Sequence, residues 1–172
     1  MTARVADIPV AGLFDAARRP EVIEAIRAFY RQVDRRIAGL PGTCWNRGDC
    51  CRFGRFGHRL YVTALEVAYY LVAIQPASLT DDACPHAHDG RCHVRDHRPL
   101  GCRVFYCDPA ARHWQGPLTE QLLARLRAMH EEFGVAYFYA DWMVVLQAIG
   151  YGHVAASDHR RQTDHRPQGR SR

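Results

Sequence analysis

Residues 20–37, PEVIEAIRAFYRQVDRRI, decide the fold class. A proline at a first-turn position, the acids Glu21 and Glu24 early, Arg35 and Arg36 late and Gly39 just beyond are the start and stop signals of an α-helix. Val22, Ile26, Phe29, Val33 and Ile37 recur at spacings of four and three, which makes one apolar stripe and leaves Arg27, Arg31 and Arg35 outward. Three further helices follow the same logic. Thr63-Ala64-Leu65-Glu66 is a capping box with Val62 and Val67 placed as a hydrophobic staple, and the helix it opens stops before Pro76. Leu122, Leu123, Leu126, Met129 and Phe133 line one side of a helix over 119–133 that ends at Gly134. Asp141 caps a short, almost wholly apolar helix over 142–149, ended by Gly150 and expected in the core. The expected fold is mostly α: a small helical scaffold around a cysteine-rich, irregular loop region with short strands or a hairpin.

The chain has 172 residues, 48% hydrophobic and 24% charged, with a mean hydropathy of −0.32. That is long enough for one sizeable core, so residues 1–154 read as a single domain. No apolar run approaches the ~20 residues of a membrane span, and Asp7 precedes any apolar stretch, which argues against a secretory leader. A cytoplasmic protein is expected. All 23 basic residues are Arg, and of the formal charge of +5, five Arg against two Asp from Ala155 onward carry +3. Residues 155–172 therefore read as a disordered basic tail, and the basic pI describes that tail more than the body.

Residues 41–60 and 77–117 are rich in Gly, Pro, Asp, His and Cys, and all seven cysteines fall there: Cys44, Cys50 and Cys51, then Cys84, Cys92, Cys102 and Cys107. Loops beyond ~12 to 15 residues are uncommon in compact domains unless something orders them. Several thiols converging in a reducing compartment imply a cation that neutralises them, and an odd count disfavours a disulfide framework. Asp89-Gly90 suits a type I′ turn, which could set Cys84 and Cys92 across a small hairpin. Adjacent Cys50 and Cys51 would point apart in extended chain, so a polynuclear centre accommodates both more readily than one tetrahedral ion. His86, His88 and His93 lie among the cysteines as further donors; His130 lacks the second His of a zincin helix and reads as surface. Arg98 and Arg103 suit either neutralisation of a thiolate-rich centre or carboxylate pairing. Trp45, Trp114, Tyr61, Tyr69 and Tyr70 read as core.

The blocks Cys44-x2-Arg47-x2-Cys50-Cys51, Cys84-Pro85 with Asp89-Gly90-Arg91-Cys92, and Arg98-Pro99-Leu100-Gly101-Cys102-Arg103 together resemble the YkgJ-type cysteine-cluster family, over residues 42–108. That family is described as zinc- or iron-chelating, and related domains occur in flagellin lysine methylases. The resemblance implies metal binding, with Cys44, Cys51, Cys92 and Cys102 the best-matched ligands, Cys50 and Cys84 next and Cys107 last. Arg47 stands where the family motif has its second cysteine. One thiolate is missing, and Cys107, His86, His88 or His93 would have to replace it; the sequence leaves those four open.

The leading reading is a metal-binding protein holding an iron–sulfur cluster or zinc. A second is a zinc-stabilised interaction module for an acidic protein or nucleic acid, the latter disfavoured because the tail lacks interleaved aromatics. A third is an iron-dependent redox or protein-modifying enzyme. There is no Walker loop, nucleophile elbow, dinucleotide fingerprint or C-x-x-C pair to support an enzyme directly.

Overall fold

The computed structural model describes residues 4–74, 79 and 83–150. The expected basic tail, 155–172, lies outside them. Seven α-helical segments and two two-stranded sheets are present among the described residues, as the mostly helical reading anticipates: α1 (Val10–Ala17), α2 (Pro20–Ala38), α3 (Phe53–Phe56), β1 (Tyr61–Thr63), α4 (Ala64–Ala73), β2 (Ala87–His88), β3 (Arg91–Cys92), α5 (Leu100–Val104), α6 (Arg112–Phe133), β4 (Tyr139–Asp141) and α7 (Trp142–Ala148). No described helix is long and apolar enough to cross a membrane.

The α2 stripe is buried throughout its length, from Val22 to Ile37. It packs with α5 and α6 around Leu100, Leu118 and Leu126, while α1, α7 and the β1–β4 pair enclose a second apolar cluster around Leu13, Val62 and Trp142. The element between them is α4. Its residues from Ala64 to Tyr70 are all buried, Leu65 and Tyr69 in the first cluster and Val67 and Tyr70 in the second. A helix apolar on every side belongs at the centre, and α4 is placed there.

The capping box on α4 forms, and it does more than end a helix. Glu66 Oε2 accepts from the Thr63 N–H at 2.8 Å and the Thr63 hydroxyl at 2.9 Å. Oε1 accepts from the Tyr30 hydroxyl on α2 at 3.2 Å and from the Leu100 N–H at the start of α5 at 2.6 Å. One carboxylate, 3% exposed, thus ties three helices together. Burial pushes its acidity down, and the four donors oppose that shift.

Helix α6 begins at Arg112, earlier than the expected 119, and carries Pro117 within it. Gly116-Pro117 reads as a breaker, yet Trp114 and Leu118 extend the buried line of Leu122 and Leu126 at steps of four, and burial outweighs the missing proline donor. The added turns are anchored: Trp114 Nε1 donates to Pro41 O at 2.7 Å, and Gln115 exchanges two 3.1 Å hydrogen bonds with the Tyr106 backbone. Helix α1 goes unseen in the sequence because it is short and buries only Leu13 and Ala16.

His130 is not at the surface: it is 2% exposed, four residues beyond Leu126 on the same buried line. Its Nδ1–H donates to Val135 O at 3.0 Å, which leaves Nε2 to accept the Leu65 N–H at 3.4 Å, an otherwise orphaned amide in the first turn of α4. Both contacts require neutral imidazole, and burial lowers its pKa accordingly. As pH falls through about 6.5 the unfolded chain takes up a proton there that the folded chain refuses, so stability declines over that interval. Glu66, with its raised pKa, pulls the other way, so the comparison needs a variant. His130→Gln, which keeps one donor and one acceptor, is expected to shrink the loss of urea midpoint between pH 7.5 and 5.5; an unchanged loss would remove His130 as its source.

Candidate metal centre

Two chain segments build the site, and glycines let them meet. In the first, Asn46 and Gly48 adopt left-handed φ values of 52° and 72°, turning the chain so that Asp49–Cys51 form a 3-10 turn closed by Cys51 N–H to Gly48 O at 3.0 Å. In the second, Asp89 and Gly90 have φ of 50° and 71°, the type I′ turn that the dipeptide anticipates, between β2 and β3. Gly48 presses on that turn: a Cβ there would stand 3.0 Å from the Gly90 carbonyl carbon and oxygen. The Cys84 N–H then donates to Cys51 O at 2.8 Å, joining the two cysteine groups directly. Gly48→Ala is expected to cost about 1–3 kcal/mol, from the positive φ and the close approach together. Chemical denaturation would measure it, and a wild-type midpoint would mean the segments can part freely.

Within this frame all seven cysteines line one cleft with a cavity of about 90 Å³, several times what a single water needs. Leu60, Tyr70 and Trp142 form its apolar floor. Three sequence expectations change. Cys92 pairs in register with Ala87, so Cys84 lies beyond the hairpin end instead of opposite Cys92. Cys50 and Cys51 sit in a 3-10 turn, where neighbouring side chains are about 120° apart and need not diverge to opposite faces. Cys102 lies on helix α5 and not in a loop, its start fixed by the Glu66 bond to Leu100.

The thiols act on one another. The Cys50 hydrogen bond lowers the Cys51 pKa, but a hydrogen bond with Cys84, burial and the charges of Cys84 and Cys92 raise it, to about 12 in all. Cys50 is held far above the usual thiol range by its hydrogen bond with Cys51 and by burial. Burial raises Cys102, with Cys51, Cys50 and Cys92 adding to it and Arg98 opposing. Cys107, exposed at the mouth, is raised by burial and then by Cys50, Asp49 and Cys44. Cys50, Cys51, Cys84, Cys92 and Cys102 thus form an inner set, with Cys44 and Cys107 outside it.

Among the described residues no three His, Cys, Asp or Glu side chains stand at the spacing that grips an ion. The donor chemistry therefore fits a thiophilic metal, while the spacing requires the thiols to draw together. His86 is buried on the cleft wall, with Tyr70 Oη 2.6 Å from its Nε2, and burial lowers its pKa to about 4. His88 and His93 are exposed on the hairpin. Arg98 lines the cleft and donates to Cys102 O at 3.4 Å. Arg103 is structural: it pairs with Asp34 at 2.7 Å, lies 4.0 Å over the Tyr30 ring and donates to the Arg98 and Asp96 carbonyls. Trp45, expected in the core, is 46% exposed at the rim beneath the Arg47 guanidinium. Tyr61 is half-buried against Tyr139, whereas Trp114, Tyr69 and Tyr70 are buried as expected. The chain matches no family model, no curated protein and no solved structure.

Proposed function

We propose that the protein binds a metal centre, an iron–sulfur cluster or zinc, through the thiols of this cleft. The observation that carries the reading is the convergence of all seven cysteines, drawn from two distant segments, on one cavity. The inner five are the nearest donors, and a bound cation would turn their mutual repulsion into ligation while displacing protons from thiols held high in its absence. The adjacent pair Cys50–Cys51 and a cavity larger than one ion needs favour a polynuclear cluster. Such a centre would supply electron transfer or a Lewis-acidic metal, and Arg98 would offset part of its negative charge. The motif resemblance to the YkgJ-type family supports the same reading. All seven thiols are free of disulfides, as a reducing, cytoplasmic compartment would keep them.

Elemental analysis with an absorption spectrum, on protein purified without oxygen, tests this. Iron with acid-labile sulfide and a band near ~400 nm identifies a cluster, and one zinc with no colour identifies a mononuclear site. Protein that neither carries metal nor takes it up on reconstitution sinks the proposal.

A further inference from the structure

Arg47 occupies the position where the cysteine-cluster motif has a thiol, and a guanidinium has no lone pair to offer a metal. Its head group lies 4.8 Å from the Trp45 ring centre. Four side chains are close enough in sequence to replace that donor, and the fold separates them. His88 and His93 lean on each other along the hairpin, ring centroids 5.5 Å apart, both exposed and neither lining the cleft. Cys107 reaches the cleft only from its exposed mouth.

His86 differs on every count. It is 6% exposed, lies on the cleft wall with the thiols, and its segment is pinned by Ala87 N–H to Cys84 O at 3.1 Å and His93 N–H to His86 O at 3.0 Å. Its Nε2 is 2.6 Å from the Tyr70 hydroxyl. Tyr70 is itself 1% exposed, with its ring centre 4.8 Å from that of Trp142 in an edge-on contact. A metal-bound imidazole is characteristically oriented by a hydrogen bond on its other ring nitrogen, and the Tyr70 hydroxyl is in place to provide that.

We propose that His86 is the nitrogen ligand of the centre, giving a mixed sulfur–nitrogen donor set in place of the motif's missing thiol, with Tyr70 as its positioning residue. This rests on the metal reading above and assigns one ligand within it. The test loads the full chain with cobalt(II) alone and, in parallel, with iron(II) and sulfide, and reads pulsed electron paramagnetic resonance for imidazole nitrogen coupling. The wild type is expected to show that coupling. His86→Ala loses it, His86→Cys regains metal without it, and Tyr70→Phe keeps it while binding about 10- to 100-fold more weakly. Bound metal without nitrogen coupling, or coupling that survives His86→Ala, overturns the ligand assignment and leaves the metal reading standing. A chain that takes up neither metal overturns both.

Discussion

Glu66→Ala is expected to destabilise the fold by about 3–4 kcal/mol, a large share of the roughly 5–15 kcal/mol available to a domain. The substitution strands the Tyr30 hydroxyl, the Leu100 N–H, and both the N–H and hydroxyl of Thr63, at a site that is 3% exposed. Each unsatisfied buried donor costs about 1–3 kcal/mol, while removing a buried carboxylate relieves part of its own desolvation. The sum falls below the simple total for that reason. Glu66→Gln retains the shape and one acceptor oxygen but sets an NH₂ against two donors, so an intermediate loss is expected. Urea unfolding of the three proteins gives the values. A loss under about 1 kcal/mol for the alanine variant would show that water or repacking satisfies those donors, and that the carboxylate does not bind α2, α4 and α5 together.

The features legible in the sequence are those that local spacing encodes. The α2 stripe, the capping box on α4, the Asp141 cap of α7, which accepts from Met143 N–H at 2.9 Å, and the Asp89-Gly90 turn each depend on residues within a few positions of one another. What escapes is partnership across the chain. Glu66 is visible as a cap, but its bonds to Tyr30 and Leu100 span 36 and 34 residues. His130 reads as surface because its chemistry suggests nothing nearby, while its acceptor role toward Leu65 comes from a helix 65 residues away. Arg103 has two plausible fates in sequence, and only packing against Tyr30 and Asp34 selects one. The candidate site divides the same way. That the cysteines carry the function is readable from their density in polar segments; which of them face one another is set by the contact of Gly48 with Gly90, which no spacing rule contains.

That contact leads to the most discriminating substitution series. Motif matching ranks Cys44 with the strongest ligands, whereas mutual electrostatics place Cys44 outside the set centred on Cys51. Cys51→Ser is expected to cut metal content to about a tenth or less, because Cys51 touches Cys50 and Cys84 and feels the charge of Cys92, and a serine hydroxyl is a poor soft-metal ligand. Cys107→Ser, altering an exposed thiol at the mouth, should retain most of the metal. Cys44→Ser then separates two architectures. Retention assigns the centre to the inner five thiols with Cys44 as a bystander, and loss comparable to Cys51→Ser requires the mouth to close over the metal, carrying the Cys44 loop inward. Each variant needs its circular dichroism recorded alongside the metal assay, since binding and folding are coupled where a centre organises irregular chain. Full metal content in Cys51→Ser with a native spectrum would show that the converging thiols are not its ligands, and would return the cleft to a cluster of buried cysteines held apart from any metal.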